Sequence, residues 1–261
     1  EVLAGVNSLA YLGQAEQASE VIDLASGIDE RWYVKPGAIY VANRSGAHAL
    51  YEGHLYAALG VPTTDLRRLW QAVTEAAREA PAARRPSVLS LGWPAALGLF
   101  LGEAGDESAL KEFGAMGGGA FPVEVRALQA LDHGDTVAAH RLLAAKDTVA
   151  DAEWKMRPFW HGYRDYVRAL ALYRLGDYAR SVALLESFQT ANLDTESFDV
   201  RWGLMGRARL LRAEALEKLG RAADARHEYE AVLGEYDSAD RSLAPYVDQA
   251  RLGLARVAGT G

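Results

Sequence analysis

Two kinds of residue in this 261-residue chain could do chemistry by type and spacing: histidines beside carboxylates, and tyrosines on a helical stripe. His133 and His140 flank a Gly134-Asp135 turn, next to Asp132. On two helices meeting at that turn the imidazoles could converge. With Asp132 or Asp135 they would offer the nitrogen and oxygen donors that zinc takes. None of the six histidines stands in HExxH, whose spacing puts two imidazoles on one helix face. They read instead as surface or packed residues, and no metal or other cofactor is expected. The tyrosines are Tyr163, Tyr166 and Tyr173, which share one face of a helix. Each offers apolar area and a hydroxyl.

Other reaction classes find no support. The chain has no cysteine, which removes disulfides, thiolate metal sites and cysteine nucleophiles. It has no GxxxxGK[ST], no GxGxxG after a strand and no GxSxG elbow. Gly117, Gly118 and Gly119 lack the lysine and the following helix of a phosphate loop, and read as a plain loop that ends a helix. Arg67-Arg68 and Arg84-Arg85 are isolated basic pairs. The net charge of -7 argues against a nucleic-acid partner held by phosphate contacts. No apolar run reaches the roughly 18–20 residues that span a bilayer. A cytoplasmic protein without enzymatic activity is expected.

The elements that must position these groups are paired helices. Asp165 to Leu185 reads as two amphipathic helices around a tight turn at Gly176-Asp177. Related turns fall at Gly13, Gly60, Gly105, Gly134, Gly176 and Gly220, spaced 47, 45, 29, 42 and 44 residues apart. Seven positions before the glycine stand Val6, Gly53, Gly98, Ala127, Ala169 and Ala213, and five after it Ala18, Asp65, Leu110, Ala139, Ser181 and Ala225. Small residues at both places let two helices approach closely near the turn, and apolar residues four before and nine after fill the groove. The units at Gly60 and Gly105 match least well. Pro62, Pro94, Pro122, Pro158 and Pro245 all fall near a helix start, where a missing N–H costs nothing. A long amphipathic helix is expected from about Asp199 to Leu219, and a capping helix over 244–258.

The rhythm breaks between Arg31 and Gly46, where Lys35-Pro36-Gly37 marks a turn between aromatic and β-branched runs. This insertion is a long connection or a loop folded over a concave face. Position 1 is Glu, and the chain opens inside or at the start of a helix. It therefore reads as part of a longer protein.

The units around Gly13, Gly134, Gly176 and Gly220 resemble tetratricopeptide repeats, whose period is about 34 residues. Gly176-Asp177-Tyr178 and Leu219-Gly220 with Ala225 carry the likeness. The resemblance implies a single all-α domain over 1–261, a right-handed α-solenoid of antiparallel helix pairs with a C-terminal capping helix. The last part resembles the ends of repeat arrays in large bacterial signalling proteins, many with a catalytic domain upstream. In the family the first helix of each pair lines a concave groove. That role would fall to Trp160, Tyr163, Tyr166, Leu170 and Tyr173. The family's basic, asparagine-containing clamp for a peptide carboxylate is unmatched, since acidic Glu214 and Glu217 stand among those positions. The implied function is a non-catalytic scaffold or regulatory module binding a protein or peptide segment, or a linked upstream domain. The alternative is a small-molecule or peptide sensor.

Overall fold

A glycine at positive φ ends the first helix of each described pair, and this one backbone requirement sets the pattern of the fold. The computed structural model describes residues 2–28, 55–56, 58–60, 71, 123–144, 158–188 and 201–259. The Arg31–Gly46 insertion, the turn at Gly105, the loop at Gly117–Gly119 and both basic pairs lie outside the described residues. Among the described residues the chain is all-α, with no strand.

The helices are α1 (Val2–Tyr11), α2 (Ala15–Ile28), α3 (Val123–Asp132), α4 (Thr136–Ala144), α5 (Pro158–Arg174), α6 (Tyr178–Leu185), α7 (Arg201–Lys218), α8 (Ala222–Glu235) and α9 (Ala244–Ala258). A 3-10 turn, Arg241–Leu243, precedes α9. The turn glycines Gly13, Gly60, Gly134, Gly176 and Gly220 have φ of 71, 73, 76, 81 and 72°. A side chain would be strained there. Four of these turns close identically. The residue after the glycine donates its N–H to the carbonyl four before the glycine, as in Gln14 to Leu9 and Asp177 to Leu172, both 2.9 Å. This satisfies a carbonyl that the helix end would otherwise orphan. Asp177 then caps α6, its carboxylate accepting from the Arg180 N–H at 3.3 Å.

The small positions around each turn lie in the interior. Val6, Ala127, Ala169 and Ala213 before the glycines, and Ala18, Ala139, Ser181 and Ala225 after them, are all 0 % exposed. Ser181 keeps its hydroxyl satisfied by donating it to the Ala169 carbonyl at 2.9 Å. Ile22, Leu143, Leu185 and Tyr229, nine after the glycines, are buried beside them.

Helix α7 differs from expectation. It is buried on nearly every side rather than on one stripe. It packs against α8, α6, α1, α5 and α9. The contact with α1 departs from the neighbour-only packing of a linear solenoid. Two glycines three residues apart thin one part of α7. A Cβ on Gly203 would stand 2.8 Å from that of Ala58, with Ala10 behind it. A Cβ on Gly206 would strike the Tyr236 ring. The helical stretch ending at Gly60 also reaches the last helix, where the Tyr246 hydroxyl donates to the Gly60 carbonyl at 3.1 Å.

Ala213→Leu forces a larger side chain into the α7–α8 contact. It should cost about 1–3 kcal/mol, read as a lowered denaturation midpoint. An unchanged midpoint would contradict this packing.

Candidate functional site

Helix α5 carries the tyrosine stripe, and the structure divides it. The side chains of Trp160 and Tyr163 lie outside the described residues. Tyr166 is 5 % exposed, a core ring. The Arg207 guanidinium carbon lies 4.9 Å from its centroid and 5.7 Å from that of Tyr246. Arg207 is itself buried, so the cation is held between two ring faces and worth more there than at the surface. Leu170 and Tyr173 are half-buried against the core. They are the described part of the stripe that keeps an outer surface.

Tyr173 meets Tyr178 edge-on at 5.4 Å. Burial, followed by the negative field of Glu214, pushes its hydroxyl up to about 12. It therefore stays a neutral donor. Glu214 and Glu217 stand three apart on α7, on the same face. Burial raises the Glu214 carboxyl above the ordinary range, against the opposing hydrogen bond donated by Gln249. Glu217 is held below that range, chiefly by Arg256. The guanidinium grips both oxygens, Nε to Oε1 at 2.8 Å and a terminal nitrogen to Oε2 at 3.0 Å. The Tyr229 hydroxyl donates to the same carboxylate at 2.9 Å. The result is a surface across α5, α7 and α9 with Tyr173, a Glu217 carboxylate already paired with the Arg256 cation, and a Glu214 carboxylate that ionises less readily. It can accept hydrogen bonds and favour positive charge. It contains no nucleophile paired with a base.

Charged groups elsewhere join helices both between pairs and within one. Glu124 on α3 is 1 % exposed and meets Arg164 at 3.0 Å and Arg168 at 3.1 Å, both on α5. Arg168 also donates to the Leu143 carbonyl at 2.8 Å, which ties α4 into the join. On α7, Arg209 meets Glu235 at 2.7 Å and Glu228 at 3.3 Å, and Arg212 meets Glu228 at 3.2 Å. Three of the four groups considered for a metal have other partners. His133 Nδ1 lies 2.7 Å from the Gln129 carbonyl and His140 is exposed. Asp132 pairs with Arg174 at 2.8 Å, and Asp135 caps α4 by accepting from Ala138 at 2.8 Å. No described helix is long and apolar enough to cross a membrane.

Sequence reasoning passed over Arg207, Arg209, Glu235, Tyr11 and Trp202. One signal was legible: Gly203 and Gly206 inside a helix mark a face that something approaches closely, and Arg207 adjoins it. Comparison with models of protein families, with curated proteins and with solved structures finds no match to this chain.

The low-lying Glu217 carboxyl gives a pH prediction. Its contribution is present above the ordinary carboxylate value and is lost as pH falls through the folded value. Arg256→Gln should therefore lower stability at pH 7 by less than about 1 kcal/mol, since Arg256 is half exposed. The difference should vanish in thermal melts well below the carboxylate range. An equal difference at both pH values would contradict the assignment.

Proposed function

We propose that the chain is a non-catalytic docking module of the tetratricopeptide type, a solenoid of helix pairs that binds a protein or peptide segment or a linked domain. The observation that carries this reading is the surface of Leu170, Tyr173, Glu214 and Glu217. It joins an aromatic donor to two carboxylates on adjacent first helices. A segment bearing lysine or arginine complements it. Its cation would lie against Tyr173 and Glu214, since Glu217 is already held by Arg256, and its apolar neighbours against Leu170. The buried small residues around Gly13, Gly134, Gly176 and Gly220 support the repeat reading, because they let the two helices of each pair pack closely in the same way. The pairing of Glu124, Glu228 and Glu235 with arginines on neighbouring helices gives these buried charges a structural role and supports binding rather than turnover. A cytoplasmic setting beside a bacterial signalling domain is part of the same reading.

A peptide array of basic segments, followed by titration of the strongest binder, tests it. Tyr173→Ala and Glu214→Gln should each weaken binding by about tenfold or more with the fold unchanged, as expected of anchor residues. Binding that is equally tight in both variants would place the docking surface elsewhere.

A further inference from the structure

The first helix pair meets the last across 224 residues of sequence, and polar groups dominate that junction. The Tyr11 hydroxyl donates to Glu235 Oε1 at 2.8 Å, on the carboxylate that also meets Arg209. Gln14 donates to the Ser238 hydroxyl at 3.0 Å, and the Glu16 N–H donates to Asp240 Oδ2 at 2.8 Å. The Asp240 N–H donates to the Gly13 carbonyl at 3.0 Å. Beneath these bonds small residues let the helices approach, and aromatic rings and Leu243 fill the seam. Ala10 faces Gly203, and Gly13 sits against Ala239, Leu243 and Tyr236. The Tyr11 ring meets Trp202 edge-on at 5.6 Å.

We propose that this junction is a latch: the first helix pair is held shut on α7 and α8 through Tyr11, Glu235 and Arg209, and opens there without unfolding the later pairs. Two features set it apart from the joins within pairs. Its hydrogen bonds exchange for water with little net loss, because each partner regains a solvent bond on opening. Glu235 Oε2 is buried with no hydrogen-bond partner among the described residues, so the closed state leaves a carboxylate incompletely satisfied. Opening hydrates that carboxylate and leaves Arg209 with its second partner, Glu228. It also uncovers the part of α7 around Trp202, while Ala58 and Leu59 stay against Gly203. Helix α7 is thus the closing surface of a gated array. This mechanism is independent of the docking surface at Tyr173.

The cysteine-free chain permits a direct test. Single reporters Ala10→Cys in the latch seam and Ala225→Cys within the α7–α8 pair are labelled with a thiol reagent under native conditions. Both parent alanines are buried. The Ala10→Cys thiol should react about tenfold faster or more. Tyr11→Phe should accelerate it several-fold and leave Ala225→Cys unchanged. Equal rates for the two thiols, or equal acceleration of both by Tyr11→Phe, would overturn the proposal. Amide exchange of the unmodified chain gives the same answer if a reporter fails to fold. Protection in α1 below that in α8 supports the latch, and equal protection overturns it.

Discussion

Helix α7 is enclosed by five other helices and still carries four arginines and two glutamates. A charge taken out of water must be paired or placed on another polar group, or folding stops there. The placement of its neighbours answers that demand. Arg207 lies between tyrosine faces supplied by α5 and α9. Arg209 and Arg212 find Glu228 and Glu235 on α8. Glu217 is gripped by Arg256 from α9. Packing and charge pairing on α7 are therefore one problem, and α5, α8 and α9 contribute to both.

The two glycines of α7 make this arrangement possible. Without a Cβ at Gly203 and Gly206, the end of α8 and the turns of the first pairs can approach the helix axis. The cost of glycine in a helix interior, about 1 kcal/mol relative to alanine, is offset by the contacts that the close approach allows. The buried Tyr236 ring occupies the space beside Gly206, and burial drives its hydroxyl well above the ordinary tyrosine range. That hydroxyl has no hydrogen-bond partner among the described residues, so shape rather than polar recognition places this ring.

The turns and the helix pairs were legible because their causes are local. Positive φ selects glycine at one position, and 3.6-residue periodicity carries that register seven residues back and five forward to Ala169 and Ser181 or Ala213 and Ala225. The stripe on α5 was legible only as a stripe. Spacing puts Tyr166 and Tyr173 on one face, but whether a ring is covered depends on Arg207, 41 positions after Tyr166. The meeting of Tyr11 with Glu235 lay further out of reach. Neither residue belongs to a motif, and the contact follows from how successive pairs turn relative to one another. The amphipathic reading of α7 failed for the same reason. Its charges mimic a solvated face, and only the partners on α8 reveal Arg209 and Arg212 as members of largely buried ion pairs.

The central claim is that the first and last described helix pairs meet on α7. Distance measurement between spin labels at Gln14→Cys and Ser238→Cys tests it most directly, since these side chains touch in the structure. The account predicts a single short separation, near the contact limit of the two labels, in the folded monomer. A separation comparable to the length of an extended array of helix pairs would contradict it.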